Sequence, residues 1–368
     1  MKNLDTDVSS IQHGNVRFAN LGHHPCRKQF LCIYFCNMIT HFKNFTESIM
    51  LVAIIVVTAS VIYGCNKIID VDLPDAEPML VVEGTIKEGE KPMVLLSNSM
   101  GYFDQIPDFQ EIFVSGASVF VTVDSVEYQL EETIPALLDP ALLLKLSDQF
   151  KVDPFEMAFA PLPVYSIVGP TDLIGVSGKT YDLRIEHDSL IATASTTLFP
   201  TVPLDDSYFY ITETSTTDSL GIINIVYTDP VELGNCYRSA SRRTNQYPDW
   251  HELAGEVKDP YFVYPLGSAW DDMILNGATY DLAYIRYPSE NDQLDSLEQG
   301  LWKLGDTVLV KLETIDYNAF ESILSYETAA SAQGNPFASP TNVISHIDNA
   351  LGWWYAYGEH VDTVICTP

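Results

Sequence analysis

The sequence predicts a mainly β protein in two successive domains, residues 78–200 and 201–368, the first broken by a helical insertion and the second carrying one or two helices. Three observations lead there. Short runs rich in Val, Ile, Thr and Tyr recur between Gly, Pro, Ser and Asp, the pattern of strands and turns. Pro135–Phe150 instead spaces its leucines as a helix does. Between the halves, Phe199-Pro-Thr-Val-Pro-Leu-Asp205 sets two prolines around a short extended piece, as a linker would.

In the first domain the expected strands are Met79–Gly84, Met93–Ser97, Ala117–Val123, Thr180–Glu186 and Leu190–Thr197. Val119, Val121 and Val123 alternate with Phe120 and Thr122, so that strand is half-buried. Gly178-Lys-Thr-Tyr181-Asp-Leu resembles the entry to a sandwich strand whose tyrosine locks the preceding corner, which makes the expected architecture an immunoglobulin-like β-sandwich. In the insertion, Pro140 suits the first turn of a helix. Its leucines either bury against their own domain or form a docking face. The second domain offers strands at Ser207–Thr212, Gly221–Tyr227 and Asp306–Glu313. Asp316 then caps a helix with Phe320, Ile323 and Leu324 at helical spacing, and Trp353–Tyr357 and Val361–Ile365 close the domain as strands.

The uncharged run Ile49–Ile62 follows the lone basic Lys43 and ends in Tyr63-Gly64-Cys65. A membrane span needs about 20 apolar residues, so the run is too short to be one. With small Gly64 before the cysteine and Ile62 three residues back, it matches a lipoprotein signal, giving a signal peptide over 38–64 and lipid on Cys65 as the first mature residue. The rival reading is a buried core segment. Residues 1–37 scatter His13, His23, His24, Cys26, Cys32 and Cys36 without period, which reads as an extension from a start codon placed too early, translation beginning at Met38 or Met50. Those spacings fit no compact CxxC pair, so no metal site is expected there. Residues 65–77 carry Asp70, Asp72, Asp75 and Glu77 with Pro74, an extended hydrated tether.

The chain has 19 basic and 50 acidic residues, a charge of −31; cleavage before Cys65 removes five basic and three acidic ones and leaves −33. Such a field repels nucleic acid and anionic lipid surfaces, which excludes a DNA- or RNA-binding role. Of the remaining cysteines beyond Cys65, Cys236 and Cys366 either bridge, as an exported protein permits, or stay as buried thiols.

Motifs for catalysis fail on spacing. His251-Glu-Leu-Ala-Gly255 lacks the second imidazole of a zinc-protease helix, and Gly175-Val-Ser-Gly178 is not a nucleophile elbow. His187, His251, His346 and His360 are scattered, and no catalytic residue, metal or cofactor is expected. Asp271 and Asp272 beside Trp270 would bind calcium or a sugar, or else cap a loop. Trp353, Tyr355 and Tyr357 share one face of a strand; exposed, the row would stack on sugar rings or a protein partner, and buried it would close a core.

The stretches Cys65–Gly84, Phe113–Val119, Gly178–Tyr181, Trp270–Gly277, Gly305–Val308 and Asn335–Asn342, in that order, are similar to the Bacteroidota lipoprotein family of domain of unknown function 4249, over Cys65–Pro368. The segment around Pro135–Pro161 is longer than is usual there. The resemblance implies an outer-membrane lipoprotein held by the lipid on Cys65, on the periplasmic or, by preference, the cell-surface face. It also implies frequent encoding beside TonB-dependent transporters, and no catalytic residues. The expected function is a non-enzymatic accessory protein that captures a ligand for such a transporter or docks onto it. A surface adhesin or structural module is the alternative, and a hydrolase with an unrecognised site the remote one.

Overall fold

The computed structural model describes residues 50, 52–55, 78–100, 109–211, 219–274, 276–287, 300–332 and 342–368. Cys65, the 1–37 extension, the 65–77 tether and nearly all of the signal segment lie outside them. Residues 50 and 52–55 are helical and belong to a separate unit ending at Pro74.

From residue 75 onward the chain forms one compact unit, mainly β. Its first half contains β1 (Leu80–Lys87), β2 (Met93–Asn98), a helical turn α1 (Phe109–Ile112), β3 (Ser118–Val123) and β4 (Val126–Thr133). There follow α2 (Pro140–Phe150), α3 (Pro154–Ala158), β5 (Val164–Ser166), β6 (Thr180–His187) and β7 (Leu190–Thr197). The second half contains β8 (Asp206–Ile211), β9 (Leu220–Thr228), β10 (Cys236–Arg243), β11 (Ala269–Asp271) and β12 (Thr279–Tyr284). It ends with β13 (Trp302–Lys303), β14 (Thr307–Ile315), α4 (Tyr317–Ala332) and β15 (Leu351–Ile365).

Eleven strands run in one sheet ordered β11-β10-β14-β15-β1-β2-β5-β4-β3-β6-β7, and β12, β9, β13 and β8 make a second, four-stranded sheet. The two closing strands expected near the C-terminus are one 15-residue strand. β15 runs parallel to β1 on one side and antiparallel to β14 on the other, so the last strand joins the two halves. Residues from both sides of the expected boundary at 200/201 therefore share one sheet, and the first of the two main cores also draws on both sides. One core gathers Val82, Ile86, Val119, Val121, Leu183 and Trp354; the other gathers Ile223, Ile225, Tyr237, Trp302, Val308 and Val310.

Tyr181 does what its position in the sequence foretold. Fully buried, its hydroxyl accepts from Val176 N at 2.7 Å and donates to Ile174 O at 2.9 Å, pinning the corner before β6. Gly84 answers a packing demand: a Cβ there would sit 2.6 Å from the Trp354 ring, whose indole N–H donates to Tyr181 O at 2.9 Å. The insertion is helical as expected, with Pro140 in the first turn of α2 and Leu142 and Leu146 buried. Asp316 caps α4, accepting from Ala319 N at 2.8 Å.

The strand β10 escapes the sequence because Arg238, Ser239, Ser241, Arg242 and Arg243 make it read as polar, yet it sits between β11 and β14. Register also settles the cysteines. Cys236 lies beside Ile315, one end of β14, and Cys366 follows Ile365, which pairs with Thr307 at the other end. Eight residues of strand put them about 26 Å apart, far beyond disulfide reach. Both are free and buried.

Candidate ligand-binding cavity

Strand register builds a charged face on the large sheet. Thr85 stands opposite Tyr355, Lys87 opposite Tyr357, and Glu313 opposite Glu359. Side chains alternate along strands, so these residues, with Lys311 two positions before Glu313, all project from the face away from Trp354.

The charges there are mostly committed to one another. Lys87 pairs with Glu90 at 2.7 Å and Glu359 at 2.8 Å. Lys311 pairs with Glu313 at 2.9 Å, reaches Glu359 at 3.7 Å and donates to the Tyr264 hydroxyl at 2.7 Å, which itself donates to Glu313 at 2.6 Å. Burial alone would push Glu313 up, but the Lys311 and Arg238 charges outweigh it and hold the carboxyl below the usual glutamate value. Burial would likewise lower Lys311, and Glu313 and Glu359 more than offset it, so the ammonium stays charged.

The helical insertion roofs this face. α2 buries Leu142 and Leu146 against Met93, Leu95, Met157 and Val164, which turns the stripe Ala141, Lys145, Asp148 toward the sheet. A loop from the second half closes the other side. Asp148 accepts from Phe262 N at 2.9 Å, Lys151 donates to Phe262 O at 3.2 Å, and the Lys151 ammonium lies 5.0 Å from the Tyr261 ring centre. Sheet, insertion and loop line a half-open cavity of about 670 Å³, within the range of small-molecule sites.

Two cations on its wall differ from the rest. Lys145 donates to Thr85 Oγ1 and lies 4.6 Å from the Tyr357 ring centre, with no carboxylate in ion-pair contact among the described residues. Close packing pushes it down to about 7, opposed by Glu90 and Glu313 at longer range and aided by Lys311 and Lys87. Arg242 donates through Nε to Asp259 O at 3.0 Å; the Asp259 carboxylate itself is occupied by Arg243 at 2.8 and 2.9 Å.

The residues singled out from sequence fall in three places. Tyr357 lines the cavity, while Tyr355, 5.5 Å from it ring to ring, packs behind it toward Phe320 of α4 and Trp353 is half-buried further along the strand. Trp270 belongs to an aromatic group with Tyr227 and Tyr237, donates to the Tyr227 hydroxyl at 2.7 Å, and borders a separate hollow of about 270 Å³ beside Leu282 and Tyr284. Asp272 is buried and accepts from Gly234 N and Asn235 N at 2.9 and 3.0 Å, the loop-capping arrangement; Asp271 is half-buried on β11. Among the described residues no cluster of His, Cys, Asp and Glu could hold a metal ion, and no helix is long and apolar enough to cross a membrane. His251 stacks on Tyr247 at 4.2 Å and accepts from Leu253 N at 3.1 Å.

Lys145, Arg242, Lys311 and Glu359 were not singled out from sequence. Their signal was present in part: one lysine inside Leu142-Leu-Leu-Lys-Leu146, and a Lys and a Glu inside the apolar strand Val308–Ile315. A charge placed among residues that must be buried has to be answered by a partner or a ligand.

The profile of one family, Domain of unknown function (DUF4249), matches residues 66–363. No curated protein matches. Among solved structures, the apo form of Bacteroides uniformis β-glucuronidase 3 is similar at 7% identity and a TM-score of 0.19, over 64% of this chain. The chain spans only 23% of that protein, and a likeness so low carries no argument.

Proposed function

The chain belongs to the family of domain of unknown function 4249, and on that premise we propose that it is a non-enzymatic, lipid-anchored outer-membrane protein that captures a small ligand for a TonB-dependent transporter. The observation that carries this reading is the cavity of about 670 Å³ under the helical insertion. Its wall supports capture over chemistry: Lys87, Lys311, Glu313 and Glu359 neutralise one another, which makes a rigid surface and leaves them poorly placed to move protons. The signal ending at Cys65 supports the anchor and the outer-membrane location. Exposed Val231 and Leu233 on one loop, tied to the loop of exposed Met273 and Ile274 through Asn276 and Val231 O at 2.9 Å, support a docking surface.

The test has two arms. Labelled fatty acid is incorporated by the wild-type chain and not by Cys65→Ser, which leaves the membrane fraction. Pull-down of the wild-type chain from solubilised outer membrane recovers a TonB-dependent transporter. Repeated recovery of none, with binding to other cells or matrix, replaces this reading by the adhesin.

A further inference from the structure

We infer that the cavity is built for an organic monocarboxylate with an apolar or aromatic body, its carboxylate received by Lys145 and Arg242. The inference rests on the capture reading and names the ligand's class. In a chain where acids outnumber bases by 50 to 19, cations rarely lack carboxylate partners without cause. Lys87 and Lys311, which line the same cavity, both have one. Lys145 and Arg242 lack one among the described residues: Lys145 meets the Thr85 hydroxyl and the Tyr357 ring, and Arg242 a backbone carbonyl. A buried or half-buried cation without a counter-ion is costly, and an entering anion relieves the cost.

The rest of the lining decides what kind of anion. Leu144, Tyr357 and Phe262 give the apolar surface for a body. Asp153 and Glu256 line the same cavity and repel a second negative charge, which favours a carboxylate over a phosphate dianion. Around Lys145 the facing groups are Lys87 and Glu90 from β1 and its turn, Lys311 and Glu313 from β14, Tyr357 from β15 and Asp148 on its own helix. With that set fixed, an arriving carboxylate stabilises the ammonium form, so binding takes up a proton above neutrality.

Calorimetry on the full chain tests this with phenylacetate as the probe, phenyl phosphate, benzylamine and benzyl alcohol as comparators, at pH 6, 7, 8 and 9. Phenylacetate binds, loses up to tenfold in affinity per pH unit above about 7, and takes up a proton in buffers of different ionisation enthalpy. Lys145→Met and Arg242→Gln each weaken it tenfold or more. Lys145→Arg keeps binding and flattens the pH profile, which a merely structural lysine would not do. Binding of benzylamine or benzyl alcohol in preference to phenylacetate, lost on cavity substitution, overturns the anion assignment and leaves capture standing. Preference for phenyl phosphate overturns the monocarboxylate assignment. Binding of none of the four overturns the inference and counts against capture in this cavity.

Discussion

Replacing Lys145 by methionine should stabilise the unliganded protein at neutral pH and below, and the gain should fade as pH rises. The ordinary lysine value of 10.5 drops to about 7 in this site. Each pH unit of such a difference corresponds to about 1.4 kcal/mol, so the ceiling is roughly 5 kcal/mol. Lys145 is half-buried on the cavity wall, so solvent screens part of this, and the variant gives up the Thr85 hydrogen bond and the Tyr357 ring contact, each worth about 1 kcal/mol. A net gain of about 1–3 kcal/mol remains below pH 7. The pH dependence is the cleaner readout. Between pH 7 and 10.5 the unfolded chain holds a proton that the folded chain lacks, so wild-type stability rises with pH relative to the variant, by up to about 1.4 kcal/mol per unit. Urea unfolding of both proteins at pH 6, 7, 8 and 9 measures it. A stability difference that stays flat from pH 7 to 9 would refute the reasoning, whatever its size, because packing changes do not titrate.

Other outcomes follow from particular contacts. Tyr181→Phe removes both hydrogen bonds at the half-buried corner before β6, so the urea midpoint should fall by the equivalent of about 1–3 kcal/mol with the m-value unchanged. Gly84→Ala drives a methyl into the Trp354 ring at 2.6 Å, and thermal melts should show a loss of about 1–3 kcal/mol. Arg243→Met strands the Asp259 carboxylate of a pair in which both side chains are 4% exposed, and should cost about 3–5 kcal/mol by chemical denaturation. Burial pushes the Cys236 and Cys366 thiols up to about 12, so a thiol reagent should label neither in the native protein at pH 8 and both in denaturant without reductant.

Much of this fold was legible because it is written locally. β-branched alternation marked Val119, Val121 and Val123, which do face the core, and Tyr181 announced its corner through Gly178-Lys-Thr. Alternation also put Trp354 and Ala356 on one face and Tyr355 and Tyr357 on the other, as the structure has them. It could not say what lies over each face. Arg238-Ser-Ala-Ser-Arg-Arg243 reads as polar loop until β11 and β14 flank it, and Gly358 ends a strand in sequence yet continues one in space because Thr314 of β14 pairs with it. The cavity was hidden for a related reason: Lys145 lies 60 residues from Thr85 and Asp148 lies 114 from Phe262, and pairing at such separations leaves no local period to read.

By itself the sequence determined the strand-rich class, the corner tyrosine and the helical insertion, since each rests on spacing within a few residues, and the family, through motifs resembling it along most of the chain. Only the tertiary structure decided that the last strand welds the two halves into one sheet, that the cysteines sit at opposite ends of β14, and that the insertion roofs a cavity. Register between distant strands chose which charges meet on the sheet, and a chain's local pattern carries no record of that pairing.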